Sequence, residues 1–238
     1  FVVAGVSSWF ILRGHLVEQN KRALSMCLWM ILVLAPAQAV VGDFHGLNTM
    51  EYQPTKIAAM EGNWEPDTNV PLLLFALPSR EEQGNLIEFG IPNLASIILT
   101  HSADGEVPGI REAAPSQQPP VSIVFWSFRT MVGIGVLMIL AGVWGLVQRM
   151  RGRLAEPGLL HRAMMLMIPA PFVAVIAGWF TTEVGRSPWL VYGIIDHAEG
   201  LTPSLTSGMA VTSLIGFLAV YAIVYSAGLY YLINTVRS

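Results

Sequence analysis

Two short motifs carry side chains that could do redox or proton chemistry. In FWSFRTMVG, Arg129 is a permanent cation and Met131, two residues on, carries a thioether. A thioether is a soft ligand of the kind that low-spin electron-transfer haem iron takes, and an arginine beside it could neutralise propionates. The same two residues also read as a gap-filling methionine, one of 11 in the chain, and an arginine that reaches for a polar surface. In GWFTTEVGRSPW, Glu183 closes an apolar run. A carboxylate there faces the negative end of a helix dipole and needs a cation. Arg186, three residues on, could provide it, and so could a ferric haem. The plainer reading is an interfacial Glu–Arg pair flanked by Trp179 and Trp189. Gly185 suits a helix C-cap, and Pro188 prevents continuation.

Other ligand types contribute less. Cys27 is the only cysteine, so an intrachain disulfide and a cysteine-based metal site are excluded. The five histidines, His15, His45, His101, His161 and His197, all fall in expected loops or turns. No apolar run carries the paired histidines of a bis-histidine cytochrome. His161, beside Arg162, reads as a residue of the cytoplasmic interface.

The elements that must position these side chains follow from where charge is missing. Only 29 of 238 residues are charged, 13 basic and 16 acidic, and 53% are hydrophobic. A soluble domain carries roughly 25% charge. The net charge of −3 gives no footprint for nucleic acid. Crossing the hydrocarbon takes about 20 apolar residues. Residues 23–41, 121–148, 163–184 and 204–236 are read as complete spans, and 1–14 as the end of a truncated one. The chain begins at Phe1, in mid-hydrophobic sequence, and reads as the C-terminal half of something longer. The expected fold is an all-α integral membrane helix bundle.

The short turns hold eight basic residues, among them Arg13, Lys21, Arg22, Arg149, Arg151, Arg153 and Arg162, against two acidic ones. The segment 42–120 holds three basic and eleven acidic residues. The positive-inside rule puts the basic turns and the C-terminus in the cytoplasm and the long loop outside. A loop of this length is usually functional or disordered. Within it, Lys56–Glu65 is expected to form a short helix, with Pro54 at its start and Gly62 at its end. Pro71–Leu77 and Ile91–Leu99 are too short to span and are expected at the membrane surface or against the bundle. Ala113–Pro120 reads as a flexible strap.

GDFHGLNTMEYQPTKIAAMEGNWE, FWSFRTMVG and AGWFTTEVGRSPW, in this order and spacing, resemble subunit I of the cytochrome bd-type quinol oxidases. The likeness runs the length of the chain, and the short loop tail resembles the cyanide-insensitive branch. It implies Met131 as axial ligand of a low-spin haem b, with Arg129 supporting it. It implies Glu183 as ligand of a high-spin haem b, with Trp179 and Arg186 beside it. A third haem, d or a further b, completes the set. The loop becomes a quinol-binding loop in which Lys56 and Glu61 serve quinol oxidation. A lysine donor and a carboxylate acceptor at one quinol hydroxyl suit a reaction that releases protons.

The resemblance implies a terminal oxidase of the bacterial cytoplasmic membrane. It would oxidise ubiquinol or menaquinol at the outer face, reduce O2 to water and generate proton-motive force. Subunit II and small single-helix subunits would be its partners. The histidine opposite Met131 and the ligand of the third haem would precede Phe1, so the chain alone is not expected to turn over. Two positions depart from the pattern: Ser187 replaces the glutamine of GRQPW, and Ile176 stands where some relatives carry a glutamate. A transporter or channel would instead predict charges around a midplane cavity. A non-catalytic subunit would use the loop only for docking.

Overall fold

The computed structural model describes every residue except Ala103, Leu201, Pro203 and Ser238. Leu201, where the last charge-free run begins, thus lies outside the described residues. The chain forms two units, Phe1–Ile194 and Ile195–Ser238. The first contains α1 (Val2–Leu12), α2 (Val17–Tyr52), α3 (Pro54–Glu61), β1 (Leu72–Ser79), β2 (Gly84–Ile91), α4 (Leu94–Thr100), α5 (Val121–Met150), α6 (Leu159–Leu166) and α7 (Ala170–Arg186). The second contains α8 (Ser207–Arg237). Among the described residues, four stretches are long and apolar enough to cross a membrane: Val17–Tyr52, Pro115–Met150, Leu159–Arg186 and Ser207–Tyr231. Large aliphatic side chains such as Val136, Leu137 and Leu140 lie exposed on α5. That is the surface of a helix solvated by lipid.

Small residues decide how the helices meet. Ala177, Thr181 and Gly185 recur every four residues on α7 and are its buried positions. This stripe packs on α5, and small side chains let two membrane helices approach closely. Thr181 Oγ1 lies 3.1 Å from Ser127 Oγ across the contact. A second apolar cluster joins α1, α2, α5 and α6 through Ala4, Ile11, Leu24, Leu28, Ala141 and Met164.

Several boundaries differ from those read in the sequence. Helix α2 does not stop at 41 but continues to Tyr52. Nothing in GDFHGLNTMEY breaks a helix, and the first proline after it is Pro54, which suits the start of the next one. His45 is therefore helical. So is His161 in α6, whose side chain is buried within the protein; its Nε2 lies 3.1 Å from the Leu154 carbonyl. The stretch 163–184 is not one helix: α6 ends at Leu166 and α7 starts at Ala170. Pro169 and Pro171 lack the N–H groups that would bond the carbonyls four residues earlier.

The loop is more ordered than its composition suggests. Leu72–Ile91 is an antiparallel hairpin with Leu72 opposite Ile91 and Ser79 opposite Gly84. Ala113–Pro120 is pinned rather than flexible. The buried Gln118 amide donates to the carbonyls of Ile110 and Ala113 and exchanges hydrogen bonds with Gln83.

Candidate functional site

Helix α3 is the piece on which the site is built. Pro54 occupies its first turn and Gly62, at φ 70°, caps it. That left-handed backbone favours glycine, and a Cβ there would also meet the Phe125 ring at 3.2 Å. Ala58 and Ala59 pack with Trp64, Ile110, Val121 and Val124, so the helix lies against the first turns of α5. This packing takes both of its charged side chains out of water. Lys56 is 7% exposed and Glu61 5%.

The two charges find different partners. Five residues apart, they leave the helix in directions about 140° apart, by the 100° step of an α-helix. Glu61 Oε2 accepts a hydrogen bond from Arg129 Nη2 at 2.7 Å. The Arg129 Nε–H donates to the Leu73 carbonyl of β1, and its guanidinium carbon lies 4.9 Å from the Phe125 ring centre. One arginine thus ties α5 to the loop helix and to the hairpin. Its side chain is 10% exposed, so Arg129 reaches polar groups of the loop rather than open solvent.

Lys56 turns to α7. Its stem packs on Gly185, where a Cβ would come within 3.1 Å of Lys56 Cγ. Gly185 is therefore not the C-cap but an internal helical position whose missing side chain makes room for the lysine. The helix continues to Arg186, with Ser187 as its cap. Burial pushes the Lys56 amine below its ordinary value, and Arg186 pushes it the same way against the opposing pull of Glu183. Beside it, the Thr55 and Tyr192 hydroxyls are 2.8 Å apart.

Glu183 and Arg186 form the pair that the helix dipole calls for, at 2.6 Å. Both are half-exposed, at 43% and 38%. Trp179 lies one turn before Glu183 and is exposed, on a face shared with Ile176 and Phe172. That face is turned away from the stripe that packs on α5. Met131 points the other way, with its sulfur lodged against Gly178, where a Cβ would lie 2.8 Å from it.

Lys56, Glu61, Arg129, Glu183 and Arg186 are thus gathered where α3, α5 and α7 meet, and the Met131 sulfur lies in the same α5–α7 contact. The sequence reading did not find Leu73, Phe125, Gly178, Gly185 or Tyr192. Of these, Gly185 carried a signal, as a small residue at four-residue spacing with Ala177 and Thr181.

A family model described as cytochrome bd terminal oxidase subunit I matches residues 1–238. The chain belongs to that family. It is 33% identical over 234 residues to cytochrome bd ubiquinol oxidase subunit 1 of Bacillus subtilis, covering 94% of this chain and 50% of the relative. It is 27% identical over 300 residues to cytochrome bd-II ubiquinol oxidase subunit 1 of Escherichia coli, covering 97% and 57%. A solved bd oxidase from Geobacillus thermodenitrificans superposes with a TM-score of 0.84 at 29% identity, over 100% of this chain and 54% of that one. The chain therefore spans about half the length of these subunits. Among the described residues, no three His, Cys, Asp or Glu side chains gather as a metal site. A group such as haem, which brings four ligands of its own, needs only single axial donors. The thioether of Met131 and the carboxylate of Glu183 suit that role chemically. The buried Arg186 Nε has no partner and is free to bond an acidic edge of such a group.

Proposed function

We propose that this chain supplies the quinol-oxidising surface and two haem-binding side chains of a terminal respiratory oxidase. In this reading the long loop is extracytoplasmic and the arginine-rich turns and C-terminus are cytoplasmic. Ubiquinol or menaquinol is oxidised at the outer face, O2 is reduced to water, and proton-motive force results. The oxidase would comprise this subunit, subunit II and small single-helix subunits. The observation that carries the proposal is the buried Glu61–Arg129 pair. It joins the helix that bears both quinol-site charges to the helix that bears Met131.

At the quinol site, Lys56 Nζ–H donates to one quinol oxygen. Its depressed basicity makes it a proton partner rather than an inert cation. Glu61 uses Oε2 on Arg129 and keeps Oε1 to receive the proton that leaves the quinol hydroxyl. The Arg129 bond holds that carboxylate in one orientation. Met131 would hold the low-spin haem b, with Arg129 supporting it, and Glu183 would hold the high-spin haem b, with Trp179 and Arg186 beside it. A third haem, d or b, would complete the set. Bound haem supplies one-electron transfer and oxygen chemistry. Ile176 supplies no carboxylate in front of Trp179, and Ser187 no amide beside Arg186.

Reduced-minus-oxidised visible spectra of the intact oxidase test the reading. Met131→Leu is expected to abolish the low-spin haem signal, and a normal low-spin spectrum would refute that ligand assignment. Lys56→Ala is expected to impair quinol oxidation and leave the spectrum intact. Unchanged turnover would refute the loop assignment.

A further inference from the structure

The β1–β2 hairpin exposes more apolar surface than a water-facing loop should. Leu74, Leu77, Leu86, Ile87, Phe89 and Ile91 are all exposed. Its packed side is narrow: Leu73 and Ala76 meet Phe125. Glu88 is the one charge within the two strands, and its carboxylate accepts a hydrogen bond from Asn85. An apolar patch of this kind marks an interaction surface.

The hairpin's height along α5 indicates what covers it. Ser122 Oγ donates to the Pro78 carbonyl at 2.9 Å. The Phe75 and Trp126 rings meet edge to face at 5.1 Å. Arg129 donates to the Leu73 carbonyl. Strand β1 therefore runs beside the first two turns of α5, not beyond its end. Helix α5 has 30 residues, about 45 Å of length at 1.5 Å per residue. The hydrocarbon core takes about 30 Å. Arg149, Arg151 and Arg153 fix the far boundary, so the surplus falls at the Val121 end. The first two turns then lie in the headgroup zone, where Trp126 is a typical belt residue.

The backbone sets the same depth. A two-stranded hairpin has two open edges whose N–H and C=O groups need water, which bars it from the hydrocarbon. Apolar side chains with a wet backbone suit only the boundary layer. The hairpin tip, Arg80-Glu81-Glu82-Gln83, is polar. Arg80 binds the Pro115 carbonyl and Gln83 binds Gln118, which anchors the tip on the strap leading into α5.

We propose that the β1–β2 hairpin is a lipid-surface element, seating its outward apolar side chains at the headgroup–acyl boundary of a phospholipid bilayer. The surface adjoins α5 where the exposed Phe75 and Trp126 rings meet. The assignment needs the membrane fold but not the quinol chemistry, so the two fail separately.

Nitroxide labels at Leu86→Cys, Ile87→Cys and Phe89→Cys, placed singly in the assembled oxidase in phospholipid nanodiscs, test it. Glu82→Cys at the tip is the reference, and labelling is confined to the introduced cysteine. Variants that keep the parent's thermal unfolding profile are compared. The three hairpin labels are expected to collide with O2 but to lose collisions with a water-soluble nickel chelate relative to Glu82→Cys. Chelate access equal to that at Glu82→Cys puts the surface in water and overturns the proposal. Exclusion of both relaxers means that protein covers it, from the same subunit or a partner, and overturns it as well.

Discussion

Of the arginine–glutamate pairs among the described residues, the two where α3, α5 and α7 meet are built in opposite ways. Arg129 and Glu61 come from segments 68 residues apart and are 10% and 5% exposed. Arg186 and Glu183 sit three residues apart on one helix and are 38% and 43% exposed. The first pair is a buried clamp that adds a charged tie between α3, the hairpin and α5 to the apolar packing of Ala58, Ala59, Leu73 and Ala76. The second neutralises a helix end and, half-exposed, is held by fewer neighbours than the buried pair. The tighter pair is thus at the proposed quinol site, and the looser one at the proposed haem-facing helix end.

The sharpest way to break this contrast is Arg129→Leu. It leaves the Glu61 carboxylate buried without its cation, which typically costs about 3–5 kcal/mol. Thermal unfolding of the oxidase should show a large loss, and quinol turnover should fall with it. Removing both charges, as in Arg129→Leu with Glu61→Leu, should recover stability but not turnover. If the single and double variants are equally stable, the pair is not the clamp. Gly185→Val should come next. Its side chain must displace the Lys56 stem, an overpacking that typically costs about 1–3 kcal/mol. A raised quinol KM with unchanged haem spectra is the expected signature.

Arg186→Leu should cost least in stability, about 0–1 kcal/mol for a solvent-exposed pair. Its effect should appear instead in the spectrum of the high-spin haem. A loss of stability as large as that of Arg129→Leu would erase the distinction between the two pairs.

The smallest effect is one of pH. The Lys56 amine is depressed below its ordinary 10.5 by burial and by Arg186. The folded protein therefore binds fewer protons than the unfolded chain between the lowered value and 10.5, and stability rises with pH across that window. Unfolding followed against pH should show this rise in the parent and its absence in Lys56→Met.

The spans were legible because charge is excluded from lipid and its absence is easy to count. The end of α2 was not, because polar residues such as Asp43, His45 and Asn48 continue a helix as readily as they leave one. The hairpin was obscured for a different reason. Leu72–Leu77 lacks polar–apolar alternation, since both its α5-facing and outward side chains are apolar. Its turn, Arg80–Gln83, also lacks the Asn-Gly or Asp-Gly step that marks tight hairpins. At the site, residue types and the Glu183–Arg186 spacing were readable within single motifs. The Glu61–Arg129 pair was not, because it exists only once α3 folds onto α5. The motifs assign Lys56 and Glu61 to one quinol and Arg129 to Met131; they carry no sign that Arg129 bonds Glu61.

The proline break between α6 and α7 changes how this span responds to force. Its two halves have different main attachments: α6 packs chiefly on α1 and less on α5, and α7 packs chiefly on α5 and also on α3. Pro169 interrupts the ladder of hydrogen bonds that would make them one stiff rod. A small tilt of α7, which carries Glu183 and the glycine against Lys56, is absorbed as bending at Met167–Pro169. The end that carries Glu183, the proposed haem ligand, is therefore not joined to α6 by a continuous hydrogen-bonded rod.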